Sequence, residues 1–167
     1  MRPSPGDPVG RRAHAMLSAM DFRTATRADL PAILALLRDE EKVIDPAAIE
    51  VDEAYARAFE AVDSDPRNEM IVLVEGDGTV LGCLQLTYIP GLGRRGEERA
   101  LIEAVRIRAD RRGDGLGRTL LTWAIDRARG RGCTLVQLTS NKRRTEAHHF
   151  YGSLGFARSH DGFKLAL

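Results

Sequence analysis

Residues 103–121 read EAVRIRADRRGDGLGRTLL, a largely apolar strand candidate followed by a glycine-rich loop and the start of a helix. Three glycines alternate in the loop and three arginines surround them: Gly113, Gly115, Gly117, Arg111, Arg112 and Arg118. Glycine permits positive φ and lets a ligand approach the backbone closely. A helix that follows such a loop exposes its first N–H groups, where the helix dipole adds partial positive charge. The stretch therefore predicts an anion site, best suited to phosphate, at the start of a helix.

Three phosphate-binding patterns compete for this loop. The nucleoside triphosphate pattern G-x-x-x-x-G-K-[ST] fails because no Lys-Ser or Lys-Thr follows. The dinucleotide pattern G-x-G-x-x-G fails because its third glycine falls at Gly117, one position early. Residues 112–117 match the third pattern, [RQ]-x-x-G-x-[GA], the pyrophosphate loop of acetyl-CoA-dependent N-acetyltransferases. A turn that only caps the helix is the structural alternative, although one glycine would suffice for it.

On either side of the loop, hydrophobic periodicity predicts a mixed α/β domain with a central sheet. Strands are predicted at residues 22–26, 70–74, 80–89, 100–108, 135–138 and 163–167. Helices are predicted after a capping box formed by Thr26 and Asp29, at residues 50–62, from the glycine loop to about residue 129, and at residues 144–153. Gly76 and Gly78 flank an aspartate between two of the strands, which predicts a hairpin.

Composition limits the function classes. The 167 residues, 43% of them hydrophobic, suit one domain at residues 21–167, preceded by a tail at residues 1–20 that is expected to be disordered. The formal net charge of +1 does not favour nucleic acid or membranes, and no apolar run approaches the roughly 20 residues of a membrane span. Cys83 and Cys133 have no metal-ligand spacing, which predicts no metal site and a reduced cytoplasmic setting.

From Phe22 onward the chain resembles the GNAT superfamily of N-acetyltransferases, most strongly between Ile102 and Phe156. Residues 103–121 resemble the family's fourth strand, pyrophosphate loop and following helix. Residues 141–156, NKRRTEAHHFYGSLGF, resemble its late asparagine, its last helix and its aromatic close. The resemblance implies a mixed central sheet of about six to seven strands flanked by about four helices, and acetyl-CoA as the cofactor.

The resemblance also implies which residues contact the cofactor. It implies that the strand splays from its neighbour, and that the backbone of Val105, Arg106 and Ile107 faces the pantetheine arm. The amides around the pyrophosphate belong to Arg112, Gly113, Asp114, Gly115, Leu116, Gly117 and Arg118. Asn141 matches the residue that approaches the arm.

Acetylation of an amine needs a base, because an ammonium has no lone pair. Glu103 matches the family position and lies in an apolar stretch, where burial would make its carboxylate a stronger base; a solvent-facing or ion-paired residue is the alternative. Tyr151 matches the tyrosine placed near the cofactor sulfur, where its hydroxyl can protonate the leaving thiolate, although it could simply pack with Phe150. The Val105 N–H is expected to polarise the thioester carbonyl. Direct transfer is expected, since Cys133 has no His or acid near it in the sequence and suits a structural role.

The acceptor is less clearly indicated. The pattern N-x-x-R-x-x-A-H-x-F-Y in residues 141–151 is similar to bacterial aminoalkylphosphonate N-acetyltransferases, which favours a small-molecule amine. Arg143 or Arg144 could bind an anionic group, or could be a solvated helix start or a contact to a cofactor phosphate. His148 and His149 point about 100° apart on a helix, so one is expected to be packed or hydrogen-bonded and the other exposed. The charged loop at residues 90–99 is expected to border the acceptor pocket.

Three other functions remain open. A protein or peptide N-acetyltransferase has the same motifs, and a non-catalytic acetyl-CoA-binding module would keep the glycine loop. A nucleotide or nucleic-acid module is opposed by the near-neutral charge and the missing lysine of the triphosphate pattern. Many members of the family form homodimers through sheet edges or C-terminal strands, so a homodimer is a further expectation.

Overall fold

The computed structural model describes residues 20–38 and 41–167. Its helices and strands are β1 (Met20–Thr24), α1 (Leu30–Arg38), α2 (Glu53–Asp63), β2 (Asn68–Glu75), β3 (Val80–Ile89), β4 (Arg99–Ile107), α3 (Leu116–Arg131), β5 (Leu135–Leu138) and α4 (Thr145–Ser153). The predicted tail, residues 1–20, lies outside the described residues except for Met20, which begins β1. The predicted hairpin and capping box are both confirmed.

The strands of the described residues form one sheet in the order β1-β2-β3-β4-β5. The first four strands pair antiparallel with one another, and β5 runs parallel to β4. Helices accompany the sheet, so the predicted mixed α/β class is confirmed. The predicted number of six to seven strands is wrong for the part of the chain that the structure describes, which contains five.

The missing strand is the segment predicted at residues 163–167, which pairs with no strand in the structure. Phe163 is 95% exposed and Leu165 is 87% exposed. Alternating apolar residues give a segment the periodicity of a strand, but a strand is stable only when another one pairs with its backbone. The prediction is wrong because periodicity specifies no partner.

The sheet separates two hydrophobic clusters. The larger one includes Leu73, Leu84, Ile102, Leu120, Leu121 and Ala124. The smaller one includes Val72, Cys83, Ile33 and Leu36. Side chains alternate in direction along a strand, so α3 covers one face of the sheet and α1 covers the other. Each buried leucine of α3 contributes about 1.5–3 kcal/mol, which fixes the helix that follows the glycine loop.

A buried carboxylate fixes the start of α1. Asp29 is 7% exposed. It accepts two hydrogen bonds from Arg23 and two from Thr26, at distances of 2.7–2.9 Å. The hydrogen bonds from Arg23, followed by those from Thr26, lower the pKa of Asp29 to about 2, although burial acts in the opposite direction. The capping box thus includes an ion pair whose carboxylate is buried, although the Arg23 side chain remains 38% exposed.

Asp29→Asn should destabilise the fold at neutral pH by about 2 kcal/mol, because one unit of pKa shift corresponds to about 1.4 kcal/mol. The folded pKa is the lowered one, so the stabilisation is complete above the unfolded pKa of about 3.9 and is lost as the pH falls through about 2. Thermal unfolding should distinguish the two proteins at pH 7 and show them converging towards pH 2. A difference that stays constant over this range would mean that Asp29 acts by shape and not by charge.

Candidate active site

An opening separates the second half of β4 from β5. The two strands pair only between Arg99–Ile102 and Leu135–Leu138, whereas β4 continues to Ile107. Residues 103–107 therefore have no strand partner on the β5 side within the described residues, and an extended ligand can pair with this edge. The predicted splay is present, and the three predicted positions 105–107 lie along it.

A β-bulge lies at the start of the opening. The pairing register of β3 and β4 shifts between Cys83 and Gln85. Leu84 consequently lies opposite two residues, Ala104 and Val105. Ala104 has a φ of 54°, in the left-handed region, which costs a residue other than glycine about 1–2 kcal/mol. Because bulges bend the strand that carries them, this one directs β4 away from its regular course where pairing with β5 ends.

Gly82 of β3 supports the bent part of β4 from the other side. A Cβ at this position would lie 2.7 Å from both the Arg106 carbonyl oxygen and the Ile107 Cδ1 atom. No side chain fits at that distance, so only glycine allows this close approach of the two strands.

The glycine loop places uncapped helix amides next to the end of β4. α3 begins at Leu116, and its N-cap, Gly115, has a φ of 80° and provides no side-chain hydrogen bond. Gly113 has a φ of 85°, and a Cβ at either glycine would meet no atom within 4 Å. Gly117 differs, because a Cβ there would lie 3.5 Å from the Phe150 ring, at ordinary contact distance, so neither space nor backbone conformation requires a glycine at this position. The first two glycines give the loop the geometry of an anion site.

The arginines of the loop form ion pairs within the protein. Arg111, whose side chain is 14% exposed, lies 3.1 Å from both Asp114 and Glu75. Its hydrogen bonds to Asp114 and Glu75 raise its pKa and keep it charged. Arg112 lies 3.6 Å from Glu41. The charge of Arg111 and Arg112 is therefore partly offset by carboxylates of the protein, and the backbone N–H groups of the loop are the other donors that it offers to an anion.

Glu103 is exposed, which corrects the expectation that its strand buries it. It is the first residue of β4 beyond the pairing with β5, and it lies opposite Gln85 of β3. On the face of the sheet that carries Glu103, the hydrophobic cluster that includes α1 packs against Cys83, which lies farther along β3. The cluster does not reach Glu103, so the face is open there. Burial gives no support to Glu103 as a base, and the argument for it rests on its place beside the opening.

Three uncharged polar side chains share the face of Glu103, and we call them the polar floor: Asn68, Gln85 and Thr87. Thr87 Oγ1 donates to Asn68 Oδ1 at 2.7 Å, and Gln85 Nε2 donates to the same oxygen at 3.4 Å. These bonds hold a surface of amide and hydroxyl groups next to Glu103. The sequence analysis missed the polar floor, although two polar residues at alternate positions of a largely apolar strand were a signal for it.

Asn141 and Tyr151 belong to the segment that follows β5. Asn141 is exposed, and its Oδ1 accepts a hydrogen bond from the Arg143 backbone N–H at 2.9 Å. Tyr151 is half-buried, with its ring centroid 5.4 Å from that of Phe150 and 6.0 Å from that of Phe156. The ring of Tyr151 therefore serves the fold, whatever its hydroxyl does.

The two adjacent histidines of α4 differ as predicted. His148 Nε2 lies 2.9 Å from the Asn141 carbonyl oxygen, whereas His149 is exposed. Arg118, at the start of α3, donates to Ser153 Oγ at 2.6 Å, which ties α3 to the end of α4. Arg118 can still contribute its backbone amide to the anion site.

Neither cysteine has the environment of a nucleophile. Burial raises the pKa of the Cys83 thiol to about 12. Burial, followed by the charge of Glu98, also raises the pKa of Cys133. Glu98 Oε2 lies 3.9 Å from Cys133 Sγ, so the fold brings an acid next to this thiol although none is near it in the sequence. A raised pKa keeps a thiol protonated, which disfavours nucleophilic attack.

Residues 20–38 and 41–167 contain neither a cluster of metal ligands nor a helix suited to span a membrane. No group of three or more His, Cys, Asp or Glu side chains there could hold a metal ion. No helix among them is both long and apolar enough to cross a bilayer.

The loop at residues 90–99 lies at the end of β4 opposite to the glycine loop. Together with Thr134 and Leu135 it lines a depression of about 210 Å³. Its role at the acceptor pocket stays a prediction, because the side chains that the structure places next to Glu103 are those of the polar floor.

Residues 30–156 match the model of the acetyltransferase (GNAT) family. The chain belongs to this family. An aminoalkylphosphonate N-acetyltransferase of Salmonella typhimurium is 30% identical to this GNAT protein over 161 residues, 94% of this chain and 97% of that one. A streptothricin acetyltransferase of Streptomyces lavendulae is 33% identical over 98 residues, 59% of this chain and 48% of that one. A solved structure from Bacillus halodurans, described as a transcriptional regulator, is 40% identical with a TM-score of 0.78, covering 89% of this chain and 99% of that one.

The match to the GNAT family confirms the resemblance and includes both stretches that carried it, residues 103–121 and 141–156. Relatives of the chain include N-acetyltransferases named for small molecules. The open edge of β4 and the glycine loop of α3 are thus parts of a GNAT acetyltransferase.

Proposed function

We propose that this chain transfers an acetyl group from acetyl-CoA directly to a primary amine of a small molecule. The observation that carries the proposal is that the open edge of β4, residues 103–107, leads into the uncapped N-terminus of α3. An extended arm can pair with such an edge while its phosphates bind the helix amides. Acetyl-CoA has both parts, and membership of the GNAT family supports it as the donor.

The residues present fit this cofactor. The backbone of residues 105–107 would hold the pantetheine arm, and the amides of residues 113–118 would hold the pyrophosphate, since the Arg112 N–H already donates to the Ala109 carbonyl oxygen at 3.4 Å. Asn141 would approach the arm from the side of β5. Next to it, Ser140 Oγ is buried and has no hydrogen-bond partner within the described residues. Such an atom is costly to leave unpaired, and an amide group of the arm could satisfy it.

Each step is assigned to a residue of this chain. Glu103 accepts a proton from the ammonium group of the acceptor, and the neutral amine then has the lone pair that attacks. The Val105 N–H donates to the carbonyl oxygen on which negative charge develops. The Tyr151 hydroxyl gives a proton to the departing thiolate as the C–S bond breaks, and the second proton that the nitrogen loses when the amide forms returns through solvent to the Tyr151 oxygen. When bound, acetyl-CoA supplies an acetyl group activated as a thioester. The raised pKa values of Cys83 and Cys133 argue against a cysteine acyl-enzyme.

The acceptor is proposed to lie on the polar floor, next to Glu103. Amide and hydroxyl groups can both donate and accept hydrogen bonds, which suits a small polar amine. An aminoalkylphosphonate is the first acceptor to test, because the relative named for that activity is similar over 94% of this chain.

Two measurements test the proposal. In thermal melting, CoA or acetyl-CoA at about 100 times its Kd should raise the free energy of unfolding by about 2.7 kcal/mol, whereas ATP and NAD should not. Thiol release from acetyl-CoA is then followed with aminoalkylphosphonates, polyamines, aminoglycosides and lysine peptides. Turnover of lysine peptides alone would favour a protein acetyltransferase, and stabilisation by CoA without any turnover would favour a non-catalytic binding module. A chain that CoA does not stabilise would refute the proposal.

A further inference from the structure

The turn that joins β5 to α4 uses both oxygens of Asn141 internally. The Arg143 N–H donates to Asn141 Oδ1 at 2.9 Å. The Arg144 N–H donates to the Asn141 carbonyl oxygen at 3.0 Å. Since a backbone N–H must face an oxygen, the first bond fixes the orientation of the side-chain amide. The Nδ2 group is therefore the donor that Asn141 can offer to a ligand.

His148 makes another hydrogen bond to the same residue. Its Nε2 lies 2.9 Å from the Asn141 carbonyl oxygen. A carbonyl only accepts, so the imidazole ring must carry a hydrogen on Nε2 and donate it. The His148 backbone N–H also donates to the Arg144 carbonyl oxygen at 3.1 Å. The side chain and main chain of one residue thus hold both ends of the turn at residues 141–144.

We propose that His148 is a positioning residue for cofactor binding: its ring holds the turn so that Asn141 Nδ2 meets an amide carbonyl of the acetyl-CoA arm. The inference rests on the proposed function and deepens it. The Oγ of Ser140, one residue before Asn141, is buried and has no hydrogen-bond partner within the described residues, so this segment also carries a polar group that its own contacts leave unsatisfied. A turn that is already ordered loses less conformational entropy when the ligand binds, so losing the ring bond should weaken affinity.

Calorimetric titration with CoA measures this without a known acceptor. His148→Phe keeps an aromatic ring but removes the donor, and should weaken CoA binding about fivefold to tenfold, the net effect of one hydrogen bond. His149→Phe is the matched control, since it makes the same change at the exposed neighbour, and should alter the Kd by less than about twofold. His148→Gln places an N–H donor at a similar distance from the helix and should restore binding. In the unliganded protein, His148→Phe should also speed hydrogen exchange of the Arg144 amide.

A double-mutant comparison separates positioning from general destabilisation. If His148 acts through Asn141, adding His148→Phe to Asn141→Ala should weaken binding no further. Additive effects would overturn the inference, as would equal CoA affinities in the two phenylalanine variants. If His148→Phe does not fold, His148→Ala takes its place: weakened binding that His148→Gln restores would support the inference, and binding equal to that of the unaltered chain would overturn it. An unaltered chain that does not bind CoA would refute the proposed function as well, whereas normal binding with no effect of His148 would refute this inference alone.

Discussion

Glu103→Gln should lower acetyl transfer by about 100-fold or more while CoA affinity stays unchanged. A positioned general base contributes roughly 100-fold to 10,000-fold, and glutamine keeps the shape of the side chain without its basicity. Glu103 is exposed, so the substitution buries no unpaired group and should leave stability nearly unchanged. Thiol release from acetyl-CoA measures the rate, and titration with CoA measures the affinity.

The acceptor itself provides a second test of this role. An amine whose pKa lies below the working pH is already neutral, so the penalty of Glu103→Gln should shrink for such an acceptor. Glu60→Gln, on the exposed surface of α2, serves as the matched control and should have no effect. Activity within about twofold of the unaltered chain would identify Glu103 as a solvent-facing residue and assign the proton to water or to another group.

Tyr151→Phe should lower the turnover rate by about 100-fold with little change in the KM for either substrate. Phenylalanine keeps the ring that packs between Phe150 and Phe156 and removes only the hydroxyl proposed to protonate the thiolate. The packing of the ring stays, and thermal melting of the variant measures separately any effect of the substitution on stability. The rate is measured at saturating acetyl-CoA, where a loss of the acid affects chemistry and not binding.

Tyr88→Phe is the control for this prediction. Tyr88 is 1% exposed and donates a hydrogen bond to Glu69 at 3.2 Å. Burial, followed by the charge of Glu69, raises the pKa of its hydroxyl to about 12. Its loss should reduce stability and leave turnover of the folded protein intact. If Tyr88→Phe and Tyr151→Phe reduce turnover equally, the effect of Tyr151 is structural.

The sequence made the glycine loop predictable because its constraints are local. Gly113 and Gly115 have positive φ, a requirement that glycine alone meets without strain. The hairpin and the start of α1 were predictable for the same reason, since turn and cap residues act on backbone within a few positions of themselves. The different environments of His148 and His149 could be predicted from helix geometry alone.

Features that depend on distant parts of the chain were not predictable. Glu103 is exposed because α1 packs against only part of this face of the sheet. The polar floor joins Asn68 to Thr87, which are 19 positions apart, and Glu98 reaches Cys133 across 35 positions. Alanine does not favour a left-handed backbone, so the residue type at position 104 did not predict the positive φ that Ala104 has.

Ala104 is the extra residue that the β-bulge inserts into β4 relative to its partner strand β3. Ile102 and Val105 contribute to the same hydrophobic cluster although they are three positions apart, whereas a regular strand would place them on opposite faces. A chain one residue shorter at this point would keep every side chain of β4 on its present face and would lose only the bend that opens the sheet. The opening thus depends on the presence of one extra residue in β4 and not on the type of that residue. In a sequence alignment, a relative that had lost the opening would differ from this chain here by only a one-residue gap.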